Sequence, residues 1–287
     1  MRKLNVLIAC EFSGAIRNEF RKLGHECISA DLVEANDNSP YHHVGDVRDI
    51  LHYHPLNGQP WDLMIAHPPC TYLTVSGNRW FKPEYAERFP ERPRQRQEGI
   101  DFFMELYNAD IPHIAVENPI GIMSTEFRKA DQIIQPWQFG DPFQKSTCLW
   151  LKGLPQLEHT NVVDKGEFVE WIDKKTGKTK RQAKWYMDAF RGKSAYERQK
   201  IRNTTFPGIA KAIAEQWSNY ILKQEKEVQM NDYTAVGLAE GFIEANSEEQ
   251  IIEAWQYLHD TKLAYKLQGW FGRTATSLIE QGIIINK

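Results

Sequence analysis

Short apolar runs recur along the first half of the chain, and each one ends in a small, acidic or proline residue. Leu4 to Cys10 is the first, followed by the turn Glu11-Phe12-Ser13-Gly14. Ala15 to Leu23 then places Ile16, Phe20 and Leu23 on one helical face, and Gly24 supplies a C-terminal stop. Glu26 to Ala30 reads as a second strand ending in Asp31, and a third short strand ends in Gly45-Asp46. Leu63 to Ala66 reads as a fourth, buried strand closed by His67-Pro68-Pro69-Cys70. Arg96 to Tyr107 reads as a helix, and His113 to Val116 as a fifth strand delivering Glu117-Asn118-Pro119. Thr147 to Leu151 is a further strand, stopped by Gly153 and Pro155. Non-alternating apolar strands separated by amphipathic helices predict an α/β fold, a mostly parallel sheet flanked by helices.

The second half has a different grammar. Glu167 to Asp173 alternates like a strand, and Lys174-Lys175-Thr176-Gly177-Lys178 reads as the turn of a hairpin. Arg202-Asn203 leads through Pro207 into an amphipathic helix from Ile209 to about Leu222. Residues 223–231 are charged and featureless, the expected linker. Residues 232–287 read as a small helical module, with a capping-box start at Ser247 and helices around 261–267 and 274–281. The expected organisation is therefore one large domain over 1–222, the linker, and the module.

Charge sharpens this division. The whole chain of 287 residues carries a net charge of -3, which excludes a uniformly basic coat. Residues 161–205 nevertheless hold twelve lysines and arginines against six acids, an electrostatic footprint for phosphates or else a solvated surface hairpin. The tail from 232 is acidic. Residues 74–95 interleave aromatics with arginines, among them Arg79, in a pattern that suits either nucleic-acid contact or an arginine-studded surface loop. No run approaches the roughly 20 apolar residues that span a membrane, and the N-terminus lacks a cleavage signal, so a cytoplasmic protein is expected. The four cysteines are widely spaced, with no disulfide framework or zinc ribbon. His52-x-His54 lacks a carboxylate or cysteine at ligand spacing, so no metal is expected, and histidines 42, 43, 52 and 54 are read as loop and surface residues.

Candidate chemistry sits at strand ends. Open α/β sheets bind ligands outside the carboxyl ends of their strands. Cys70 follows a rigid proline corner there, as a nucleophile or as an incidental buried thiol. Glu117 stands at a second strand end, directed at the same crevice or simply favoured by a helix dipole. Strand, small-residue turn, helix, strand and Asp31 form the layout of a nucleotide-binding unit, or of an ordinary βαβ unit, since only Gly14 of a glycine fingerprint is present.

Taken in order, Phe12-Ser13-Gly14, Asp31, Gly45-Asp46, Pro68-Pro69-Cys70, Glu117-Asn118-Pro119 and Arg202-Asn203 with Pro207 resemble the DNA (cytosine-C5) methyltransferases, particularly a compact phage form, over residues 4–222. The resemblance implies a Rossmann-like fold dependent on S-adenosylmethionine (SAM), acting on DNA in the cytoplasm, a host's if phage-encoded. It implies Cys70 as nucleophile toward cytosine C6 and Glu117 as the group at ring N3. It assigns Phe12, Ser13, Gly14, Asp31, Asp46, Pro68 and Asn203 to the cofactor. Pro69, Asn118, Lys145, Arg79, Lys174, Lys175 and Lys178 would contact the substrate, with 161–200 as a short basic target-recognition insert. Three departures stand out: no Gly-x-Gly after the first strand, His67 where the family has glycine, and Lys145-Ser146-Thr147 where it has an arginine-rich strand. A related SAM-type transferase on a free nucleotide, RNA or modified donor, and a DNA-binding protein with a decayed site, are the other readings.

Overall fold

The computed structural model describes residues 2–245 and 247–286. Two compact units lie along the chain, 1–218 and 219–287. In the first, β1 (Asn5–Ala9), β2 (Glu26–Asp31), β3 (His42–Val44), β4 (Leu63–Ala66), β5 (His113–Pro119), β6 (Gln132–Ile134) and β7 (Thr147–Lys152) make one seven-stranded sheet in the order β3-β2-β1-β4-β5-β7-β6. The pairs from β3 through to β5 are parallel, and β7 runs antiparallel to both β5 and β6. This is the Rossmann-like, mostly parallel layout that the resemblance implies.

Continuous apolar strands are needed here because helices cover the central sheet. On one face Leu7, Ala9, Met64, Ala66, Ile114 and Val116 join Phe103 and Leu106 of α2 (Arg92–Tyr107) in one core. Trp150 of β7 closes that core, edge-on to Phe103 at 5.1 Å, with its indole N–H donating to the Arg128 carbonyl at 2.8 Å. The alternate residues Val6, Ile8, Leu63, Ile65 and Ala115 are fully buried as well. Helix α1 (Ala15–Lys22) packs against β1 and β2. A single turn, α3 (Met123–Glu126), follows β5.

After the sheet, β8 (Phe168–Ile172) and β9 (Thr179–Ala183) form the expected hairpin as a separate two-stranded sheet. Two helices complete the basic region, α4 (Lys184–Phe190) and α5 (Ala195–Asn203). Helix α6 (Pro207–Gln229) buries Ile209, Ile213 and Trp217, and the Trp217 indole donates to the Pro155 carbonyl at 3.0 Å.

Several expectations change. Helix α2 begins at Arg92, four residues earlier than its periodicity indicates, because Pro93 is well suited to a first turn. Residues 223–229, expected as a linker, continue α6, in keeping with the high helix propensity of Lys, Gln and Glu. His54 is not a surface residue. It is 1% exposed, its ring 4.8 Å from Trp61, and its Nδ1 accepts the Leu56 N–H at 3.2 Å.

The second unit contains α7 (Asp232–Glu240), α8 (Glu248–Asp260) and α9 (Gly269–Glu280) around Leu238, Trp255, Leu258 and Phe271. Ser247 caps α8 by accepting the Gln250 N–H at 3.3 Å. The helix expected at 261–267 is only a 3-10 turn, Leu263–Tyr265, entered through a left-handed Lys262.

Candidate active site

Two corners at the carboxyl ends of adjacent strands are fastened to each other. The His67 N–H donates to the Ala9 carbonyl at 2.9 Å, which ends β4 beside β1. The prolines follow, Pro68 buried and Pro69 exposed, and the Cys70 carbonyl then accepts the Leu73 and Thr74 N–H groups at 3.0 and 3.1 Å. From the neighbouring strand, the buried Asn118 amide donates to the Pro68 carbonyl at 2.9 Å. Further out, Val75 N–H donates to Ile120 O at 3.2 Å and Ile122 N–H to Leu73 O at 2.8 Å. The chains approach so closely there that a Cβ on Gly121 would lie 2.2 Å from the Leu73 carbonyl oxygen.

Glu117 is not a loose strand end. Antiparallel pairing with β7 carries β5 on through Pro119, with Glu117 opposite Leu149 and Asn118 opposite Cys148. Relative to β4, whose last pair is Ala66 with Val116, Glu117 lies one residue beyond the edge. Its Oε2 lies 3.1 Å from His67 Nδ1.

A lysine completes this wall. The Lys145 ammonium donates to the carbonyls of Arg202 at 2.6 Å and Thr204 at 3.4 Å, at the C-terminal end of α5, where the helix dipole favours a cation. It also lies 6.0 Å from the Phe206 ring centroid. Burial pushes the Glu117 carboxyl up, but the His67 hydrogen bond and charge, then Lys145 and the Thr147 hydroxyl, outweigh it, so the carboxyl titrates below its ordinary value. Burial and the Glu117 charge raise the Cys70 thiol, while Arg202 and Lys145 partly offset them. Cys70, Glu117, Asn118, Pro68 and Lys145 are thus brought together.

Of the residues expected to hold a cofactor, Phe12, Ser13, Gly14, Asp31 and Asp46 follow or end β1, β2 and β3, whereas Pro68 follows β4 and Asn203 ends α5. Gly14 precedes α1 at φ 72°, and a Cβ there would meet Arg17 Nη2 at 2.3 Å. Arg17 is fully buried, bonded to Ser29 Oγ at 2.7 Å and paired with Asp37. The loop after β2 is tied back where Asn36 N–H donates to the Phe12 carbonyl at 2.9 Å. Burial raises the Asp31 carboxyl. Asp46 caps the following turn by accepting the Arg48 N–H at 3.0 Å, and its other oxygen pairs with the Arg48 guanidinium at 3.0 Å. That backbone bond and then the arginine hold Asp46 below the usual carboxylate range.

Two neighbours escaped the sequence reading. Glu11 is 3% exposed; its Oε1 accepts Ser13 Oγ at 2.9 Å and Ile16 N at 3.0 Å, while Oε2 has no hydrogen-bond partner among the described residues. An acid just ahead of a helix start was the available signal. Cys10 takes a left-handed conformation, φ 59°, and burial followed by Asp31 and Asp46 pushes its thiol up to about 12. Two carboxylates at strand ends and an orphaned buried carboxylate oxygen fit a ligand with an ammonium group and ribose hydroxyls, the chemistry of SAM, whereas the space beside Gly14 is filled by Arg17 and Asp37.

The outer elements divide in two. Lys174, Lys175 and Lys178 lie exposed on the hairpin turn, which Asp173 organises by accepting the Lys175 and Thr176 N–H groups at 3.1 and 2.9 Å. Exposed Arg79 stacks on Trp80 at 4.2 Å, and exposed Asn203 ends α5. The arginines after it are not all available to phosphates. Arg96 donates to the Tyr72 carbonyl at 3.1 Å and Asn78 Oδ1 at 2.7 Å while lying 3.2 Å from the Phe81 ring centroid, and Arg94 pairs with Glu91 and Glu98. They bind the segment to itself.

No protein-family model matches the chain, and no curated protein matches it significantly. Solved structures with some similarity include a putative DNA modification methyltransferase encoded within an Escherichia coli prophage, 16% identical over 52% of this chain and 46% of that one, TM-score 0.35. Another is an Entamoeba histolytica methyltransferase, 16% identical over 57% of this chain and 58% of that one, TM-score 0.38. The chain thus spans about half the length of the solved structures it matches.

Two outcomes follow from this geometry. Gly121→Ala should cost about 1–3 kcal/mol by overpacking the crossing, read as a lower urea midpoint; an unchanged midpoint would show that the strands are free to part. Ionised Glu117 contributes stability that is fully present above its ordinary value of 4.5 and is lost as pH falls through its lower folded value. The stability advantage of wild type over Glu117→Gln should therefore shrink progressively as pH falls below 4.5. A gap that stays constant on acidification in urea titrations contradicts the sign.

Proposed function

We propose that this chain methylates C5 of cytosine in DNA, with Cys70 as nucleophile and Glu117 as the acid at ring N3. The observation that carries the reading is the fastening of a thiol-bearing corner to a carboxylate-bearing one, with Lys145 acting on both. Cytosine C5 is a poor nucleophile. Addition of the Cys70 thiolate to C6 breaks the ring's conjugation and makes C5 enamine-like. Glu117 donates a proton to N3 as the electron pair moves toward it, help worth roughly 10²–10⁴-fold. SAM, when bound, supplies an electrophilic methyl group to which that carbon is complementary. Loss of the C5 proton then lets the S–C6 bond break and frees Cys70.

Burial and Glu117 hold the Cys70 thiol protonated in the free protein, so attack requires the thiol to lose its proton on substrate binding. The corner is inaccessible to a stacked base, and a flipped cytosine is the substrate form that it suits. Phe12, Ser13, Gly14, Asp31, Asp46, Pro68 and Asn203 would hold SAM. Pro69, Asn118 and Lys145 would border the flipped base, with Lys145 in place of the family's arginine. Arg79 and the hairpin lysines 174, 175 and 178 would meet DNA phosphates, which makes 161–200 the target-recognition insert of a transferase domain over 1–222.

A duplex containing 5-fluorocytosine tests this directly, because fluorine blocks the final elimination. With labelled SAM, wild type should form a covalent complex stable on a denaturing gel. Cys70→Ser should abolish it with SAM binding retained, and Glu117→Gln should slow it by about 10²-fold or more. No complex with wild type, alongside a trapping cytosine-C5 methyltransferase control, sinks the reading.

A further inference from the structure

We propose that His67 is a positioning residue for this reaction: its ring holds Glu117 in place and shares with it the proton that Glu117 delivers to N3. The inference rests on the cytosine reading above and concerns the residue at which this chain departs from the family pattern.

What sets the ring apart is its hydrogen-bond partner, since Nε2 of His43, His54 and His259 is likewise buried without one among the described residues. His42 spends both nitrogens on neighbours, Ser29 Oγ at 2.8 Å and the Val33 carbonyl at 2.9 Å. His25 accepts the Leu4 N–H at 3.2 Å. The His67 Nδ1 instead meets Glu117 Oε2 at 3.1 Å, and its Nε2 is buried with no hydrogen-bond partner among the described residues. The ring's one described polar contact is thus a carboxylate. The backbone that carries the ring is fixed, because the His67 N–H is bonded to Ala9 and Pro68 follows it with a fixed φ.

Glu117 needs such a partner. Despite burial, the histidine, Lys145 and Thr147 keep its carboxyl below the ordinary range, so alone it carries no proton near neutrality. The other groups bearing on the pair are ill suited to supply one. Lys145 is held by two carbonyls, and Cys70 and Cys148 are thiols that burial and then the Glu117 charge push up. Arg202, which acts on Cys70, does not release its proton. With the ring in its imidazolium form, the Nδ1 proton passes through Glu117 to N3 as the S–C6 bond forms and leaves a neutral imidazole. It returns when that bond breaks, so the His67–Glu117 pair ends the cycle as it began, while the C5 proton is released to solvent.

Two measurements test this. In DNA-free protein, carbon-13 NMR of the Glu117 carboxyl should show its titration moving up in His67→Gly, since burial persists while the histidine's opposing effect is gone. An unmoved titration overturns the proposal. With duplex tritiated at cytosine C5, His67→Asn keeps a donor but cannot share a proton. It should bind DNA as wild type does yet release tritium about 10²-fold more slowly, with a flattened pH profile, and added imidazole should partly restore His67→Gly. A wild-type rate and profile in His67→Asn also overturns it. Should the NMR shift appear while wild type releases no tritium, the cytosine reading and the delivery to N3 both fail, and only the coupling of His67 to Glu117 stands. Tritium release without the shift supports the cytosine reading and overturns the shared proton.

Discussion

The site depends on one constraint, the fastening of the chain after β4 to the chain after β5. Adjacent parallel strands ordinarily diverge once their ladder ends, because each leads into its own crossover. Here the ladder is succeeded by a side-chain amide on a proline carbonyl and two backbone bonds around Gly121. Proline makes that succession necessary. Pro68 and Pro69 offer no N–H to a neighbouring strand, so the only backbone group that they can contribute is a carbonyl, and Asn118 takes it. Antiparallel β7 holds Asn118 in register from the other side. Cys70 and Glu117 are thereby located by backbone rather than by each other.

Electrostatics then separates two half-buried acids that share one wall. Burial opposes the charged form of both, and the thiol, facing an existing carboxylate, rises. The carboxylate has a histidine on one oxygen and a lysine nearby, and it falls. Lys145 can serve both because its ammonium is fixed on the carbonyls that end α5. The basic region after the sheet therefore contributes to the site through backbone oxygens as well as through its own cations.

Much of this was legible in the chain. Buried parallel strands announce themselves as unbroken apolar runs, and the β8–β9 hairpin as alternation around a Lys-Thr-Gly turn, because both signals are local. The extension of β5 through Pro119 was not legible, since it exists only because β7, some thirty residues later, pairs with it. Short β6 lacks a periodic signal for the same reason: its three residues are strand by virtue of β7. His54 misled because composition predicts exposure for histidine, whereas Trp61 offers it an aromatic neighbour. The internal bonding of the arginine-rich stretch was not legible either, because the stacking of Arg96 on Phe81 depends on how the segment folds back on itself.

The residue that sequence alone marks as a departure is also the one whose surroundings are most specific. A glycine before the prolines would leave Glu117 buried with Lys145 and Thr147 as its remaining partners. Histidine fills that space and adds a second titratable group to the carboxylate. The position demands no glycine, because His67 closes the strand in regular register and has no left-handed φ. What a histidine there adds, on the reading proposed above, is protonic. A site with a carboxylate alone must wait for burial by substrate to become an acid, whereas a carboxylate bonded to imidazole has a proton store beside it before the base arrives.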